Sequence, residues 1–141
     1  MSWYAAHVVM VVQRKSNRSK RFPVWENIVL IQADSEDEAF TKAAQHGRSE
    51  AGDDGGTFTW EGQPARWIFA GVRKITACAD VAKRPSDGTE ITYNEFEFDS
   101  PELLEKYLAG GAIRLQSTDQ FTDSAFALVE MPILASQKKR A

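Results

Sequence analysis

Apolar residues fall along this chain in two alternating rhythms, one of period two and one of period 3.6. Trp3 to Val12 is apolar on both sides of a two-residue repeat. Trp3, Ala5, Val9 and Val11 take one face, and Tyr4, Ala6, Val8, Met10 and Val12 the other. A strand of that kind must be covered on both faces, by a second layer or by a partner chain. Val24 to Ala33 predicts a second strand, opened by Pro23 where a missing N–H is tolerated. The rhythm then changes. Ala39, Phe40, Ala43, Ala44, Gly47 and Ala51 repeat at helical spacing, predicting a helix over 36–50 whose buried stripe is made of small residues. Ser35 and Glu38 have capping-box spacing, each able to bond the other's backbone N–H, and three acids in the first turn suit the helix dipole. Gly52-Asp53-Asp54-Gly55-Gly56 ends the helix.

A short strand over 57–60, a Gly62-Gln63-Pro64 turn and a long strand over 65–79 follow. Gly71 interrupts that strand, marking a bulge or a close backbone approach. Pro85 to Gly88 is a turn. Over 89–98 the apolar phase flips between Tyr93 and Phe96. One bulge at Asn94 or Glu95 would return Ile91, Tyr93, Phe96 and Phe98 to a common core side. Ser100-Pro101-Glu102 starts a second helix, with Leu103, Leu104, Tyr107 and Leu108 as its apolar stripe. Short strands are expected near 113–116 and 126–131. The order of elements, with hairpin-length connections, predicts an α+β fold: two layers, a largely antiparallel sheet, and two helices packed on one face. Residues 1–116 form one domain, 117–136 an extension packed on it, and 137–141 a disordered tail.

Composition narrows the function classes without choosing among them. The chain has 141 residues, a formal net charge of −3 and one cysteine. The basic loop from Arg14 to Arg21 lacks interleaved aromatics and a global positive field, so it does not read as a nucleic-acid module. Cys78 has no partner for a disulfide, which points to the cytoplasm, and it reads as an inert buried thiol. No apolar run near the N-terminus is long enough to span a membrane. His7 and His46 form no spaced ligand pair, and the glycine loop after the helix lacks the lysine and hydroxyl of a phosphate-binding loop. No metal, cofactor or catalytic residue is expected.

One polar patch stands out. Glu26, Arg73 and Lys74 interrupt strands that are otherwise apolar. If those strands pair, Glu26 faces Arg73 or Lys74. Trp3, Trp25, Trp67 and Tyr93 would border the patch, and Glu95 lies on the strand that carries Tyr93 and Glu97. Trp25, Glu26, Arg73, Lys74, Tyr93 and Glu95 are therefore the candidate binding residues. A cross-strand ion pair is the plainer reading of these charges, and a solvated face is the plainer reading of Glu90, Glu95 and Glu97. The two-sided apolar first strand and the four tryptophans favour a non-catalytic interaction domain, a homodimer or the partner of another protein. The alternative is a small-ligand or enzymatic site at Glu26, Arg73, Tyr93 and Glu95.

Five strings in this order resemble a family of small bacterial proteins known as a domain of unknown function. They are Trp3-Tyr4-Ala5-Ala6-His7, Pro23-Val24-Trp25-Glu26-Asn27, Ala33 to Ala39, Gly71-Val72-Arg73-Lys74-Ile75 and Gly88 to Phe96. The resemblance covers about residues 1–116 and implies a small stand-alone bacterial domain, without an activity to transfer.

Overall fold

A computed structural model of the chain describes residues 1–16, 21–78 and 84–118, and the backbone of 128–129. The order of elements is β1 (Ser2–Arg14), β2 (Val24–Ala33), α1 (Glu36–Glu50), a 3₁₀ turn (Asp54–Gly56), β3 (Thr59–Trp60), β4 (Gln63–Ala77), β5 (Phe96–Glu97), α2 (Pro101–Leu108), β6 (Gln116–Ser117) and β7 (Leu128–Val129). The main sheet runs β2-β1-β4-β3 with every pairing antiparallel, and β7 adds to β4. The fold is α+β, as the alternation of periods predicts. The expectations for the loop residues 17–20, and for most of the extension and the tail after 118, lie outside the described residues.

β1 is the central strand, and its two faces are covered differently. Tyr4, Ala6, Val8 and Met10 join Ala39, Ala43, Ala44, Phe69, Val72 and Ile75 in the core under α1. On the other face Val11 packs with Ala70, Val9 and Phe22. The second apolar face of β1 is thus largely covered by its own chain, so it does not by itself demand a partner.

α1 spans the predicted residues, and its buried positions are Ala39, Ala43, Ala44 and Gly47. Ser35 Oγ accepts the Glu38 N–H at 3.1 Å. The return bond differs from the expected box: Glu38 Oε2 accepts from the N–H of Asp34, one residue earlier, at 2.9 Å. Glu38 also pairs with Lys42 one turn on, at 3.1 Å, the favourable order on a helix. The small stripe lets the helix approach the sheet closely. A Cβ placed on Gly47 would come within 2.4 Å of a ring carbon of Phe69, which is itself buried.

β4 carries two register shifts against β1. His7 faces Lys74 but Val8 faces Val72, leaving Arg73 as an extra residue. Val9 faces Gly71 but Met10 faces Phe69, leaving Ala70 as another. The irregularity expected at Gly71 is therefore present. The bulge expected at Asn94 or Glu95 is not, because 89–98 is not a continuous strand. Residues 89–95 have no regular structure, and only Phe96–Glu97 pairs, with Gln116–Ser117. Ile91 and Tyr93 are exposed rather than on the core side. Side-chain bonds hold this stretch where a ladder was expected. Phe96 and Phe98 are half-buried and meet Tyr107 of α2 edge-on, at 6.0 and 5.7 Å.

The Gly47 contact is testable. Gly47→Ala adds about 1 kcal/mol of helix propensity, but it overpacks a buried ring at a cost of about 1–3 kcal/mol. We expect a net loss of stability in denaturant unfolding. A stabilised variant would show that α1 has room to lift from the sheet.

Candidate functional site

His7 lies on the face of β1 turned away from α1, and its side chain is fully buried. Its partners come from three other segments. Nδ1 lies 2.9 Å from Glu26 Oε1 on β2, and Nε2 lies 2.6 Å from Thr92 Oγ1. An ionised carboxylate only accepts, so Nδ1 carries the proton and donates to Glu26, and the Thr92 hydroxyl donates to Nε2. Arg73 Nε donates to the same Glu26 oxygen, while its Nη2 reaches Asn94 Oδ1 at 3.5 Å. Lys74 is buried, donates to the Tyr93 carbonyl at 2.6 Å and sits 4.1 Å over the Tyr93 ring.

The bulge explains how neighbours in sequence reach one cluster. In a regular strand Arg73 and Lys74 would point to opposite faces. The extra residue turns both toward His7, a re-aiming that bulges commonly provide. β1 lies between β2 and β4, so the Glu26–Arg73 pair spans the central strand rather than joining adjacent ones. Here the structure corrects the expectation of direct strand pairing.

Of the predicted site residues, Glu26, Arg73, Lys74 and Tyr93 come together. Trp25 does not. It faces Met10 on the α1 side and stacks edge-on with Trp60 and Trp67, at 5.2 and 5.1 Å. Glu95 is exposed, and its carbonyl accepts the Thr118 N–H at 3.0 Å. His7, Thr92 and Asn94 were missed. His7 had a signal, as the only basic side chain between Trp3 and Val12. Thr92 and Asn94 had none, since an irregular segment has no periodicity from which to read a face. Cys78 is buried and free, its thiol pKa raised by that burial.

Burial drives the His7 pKa down from its ordinary value near 6.5. Glu26 opposes that shift through its hydrogen bond and charge, and the positive charges of Arg73 and Lys74 reinforce it. The ring is neutral at neutral pH. Chemically, the arrangement is a hydroxyl, an imidazole and a carboxylate in series, the order found in activated nucleophiles. Two features weigh against that use. The imidazole is sealed from solvent, and Arg73 shares the carboxylate oxygen that would stabilise an imidazolium. As a clasp the same bonds fix residues 92–94 onto the sheet. Among the described residues there is no cluster of three metal-ligating side chains.

An antiparallel sheet under one long helix, with a polar clasp on its other face, defines a small α+β domain. The chain belongs to the family described as Domain of unknown function (DUF4288), which matches residues 3–93. That span takes in β1 to β4, α1 and the clasp residues up to Tyr93. No curated protein and no solved structure matches the chain.

The lowered His7 pKa sets a sign for pH dependence. The unfolded chain takes up a proton near pH 6.5, while the folded ring takes one only at lower pH. The contribution is therefore fully present above 6.5 and is lost as pH falls from there through the folded value. His7→Gln should cost about 1–3 kcal/mol at neutral pH by leaving buried partners unsatisfied. It should also flatten the fall in melting temperature just below pH 6.5. An equal fall in both proteins would show that His7 does not titrate as described.

Proposed function

We propose that this is a non-catalytic interaction domain that self-associates through β2. The observation that carries the reading is the state of that strand. β2 is ten residues long and lies at the edge of the sheet, its outer side unpaired among the described strands. Proteins usually protect such an edge with lysine, proline or a bulge. From Val24 to Ala33 there is none of these, and the only charge, Glu26, is turned to His7 and Arg73. Val24, Ile28 and Leu30 are 53%, 40% and 42% exposed on the face away from α1. Lys42 occupies the Gln32 carbonyl at 2.7 Å, which leaves 24–31 as the segment for pairing.

The occupant is a second copy of the chain, because an antiparallel strand pairs with itself about a two-fold axis without any further complementarity. The apolar side chains of the two copies then adjoin. The single unpaired cysteine favours a cytoplasmic setting for the domain. No helix among the described residues is long and apolar enough to cross a membrane.

A second reading rests on the series Thr92–His7–Glu26: a small-ligand or enzymatic site with Arg73, Tyr93 and Glu95 at its margin. It requires a reactive Thr92 hydroxyl. A hydroxyl-directed phosphonate reagent that leaves Thr92 unmodified removes it.

Sedimentation tests the preferred reading. At about 100 μM, above a micromolar dissociation constant, we expect a dimer whose interface buries more than about 1,000 Å² in total. Replacing Ile28 and Leu30 with lysine should yield folded monomers whose melting temperature no longer rises with protein concentration, as the parent's does. A monomeric parent at that concentration would contradict the proposal.

A further inference from the structure

The free edge of β2 carries a register for its own partner. In an antiparallel ladder, alternate residues turn their backbone N–H and C=O to opposite sides of the strand. Two bonds fix which residues of β2 turn which way. The Pro23 carbonyl, continuing the β1–β2 register, accepts the Val12 N–H at 3.1 Å, so the odd-numbered residues face β1. The Gln32 carbonyl takes Lys42 Nζ from outside the sheet at 2.7 Å, so the even-numbered residues face outward. Val24, Glu26, Ile28 and Leu30 therefore present the edge, and no backbone group of theirs on that side has a partner among the described residues.

The side chains sort by the same parity. Glu26 and Ile28 lie opposite Val9 and His7, on the face away from α1. Trp25, Asn27 and Val29 lie opposite Met10, Val8 and Ala6, on the α1 face. Trp25 and Val29 are half-buried, whereas Asn27 is exposed and its amide has no partner among the described residues.

This inference rests on the self-association proposed above. A two-fold axis allows hydrogen-bonded pairs only where both residues face outward, which leaves three central registers. Centring on Glu26 sets two carboxylates directly opposite, a destabilising pair, and leaves Leu30 facing the partner's Phe22, outside the strand. Centring on Ile28 sets Val24 against the partner's Gln32, whose carbonyl Lys42 already holds. Centring on Asn27 pairs Val24 with the partner's Leu30 and Glu26 with the partner's Ile28. It uses every free outward residue and joins apolar side chains that are 53% and 42% exposed in one copy. The carboxylates then sit on a diagonal, about 7–8 Å apart, each still held by its own His7 and Arg73.

We infer that two copies pair through β2 with Asn27 on the two-fold axis, and that Asn27 sets the register. Trp25 then faces the partner's Val29, an aromatic and β-branched pair of the kind that stabilises sheets. The amide of Asn27 meets the partner's Asn27, and each carries both a donor and an acceptor for the other. A slip by one pairing step in either direction sets Asn27 against the partner's Trp25 or the partner's Val29, where that exchange is lost.

Cysteine cross-linking of the full chain tests the register. Residues facing each other outside the hydrogen-bonded pairs have Cα atoms about 4.5 Å apart, within the span of a disulfide. Asn27→Cys at about 100 μM, treated with copper phenanthroline, should form a covalent dimer at least about tenfold faster than Ile28→Cys, whose copies sit on a diagonal about 7–8 Å long. The parent, whose Cys78 is buried, should not link. A parent that sediments as a dimer while Asn27→Cys fails to link, or links no faster than Ile28→Cys, would overturn the register and leave self-association standing. A monomeric parent would overturn both.

Discussion

A fully buried histidine in the central strand is the constraint on which the face turned away from α1 depends. Both nitrogens of His7 lie in the protein interior, where a polar group without a partner costs about 1–3 kcal/mol. Two partners must therefore be delivered, one on each side of the ring. Glu26 arrives from β2 through the register of the sheet. Thr92 arrives from a segment 85 residues away in sequence that forms no strand over the site. Satisfying one imidazole thus fixes a crossing segment that has no ladder of its own.

The two faces of the sheet follow different physics. Under α1 the contacts are apolar and close, with alanine and glycine letting helix and strands approach. On the other face, part of the covering is held by directional polar bonds. The Arg73 bulge makes this possible, since it turns two consecutive side chains to the same side. Arg73 then steadies Glu26, while Lys74 reaches the Tyr93 backbone and lies over its ring. Charges interrupting a strand are here the means of attaching a loop.

Much of the fold could be read from the sequence, because it rests on local signals. The 36–50 helix followed from its small-residue stripe and cap, and β1, β2 and β4 from runs of alternating or continuous apolar residues. The candidate site was legible only in part. Glu26, Arg73 and Lys74 were visible as charges in apolar strands, but not the strand lying between β2 and β4. Strand order is a non-local property that alternation does not encode. Trp25 was misplaced although it neighbours Glu26, because a strand sends adjacent residues to opposite faces. The bulge beside Arg73 reverses that same rule. The stretch 89–95 looked like a strand by composition, yet it is held by side-chain bonds that periodicity cannot reveal.

The protonation of His7 tests this account most directly. Nitrogen-15 NMR of the ring at neutral pH distinguishes the two neutral tautomers and the imidazolium. The clasp requires a neutral ring with its proton on Nδ1, facing Glu26, and a bare Nε2 accepting from Thr92. It also requires that the Nε2 resonance change in Thr92→Val. A charged ring, a proton on Nε2, or an Nε2 signal indifferent to Thr92 would contradict the claim that His7 holds the crossing segment in place.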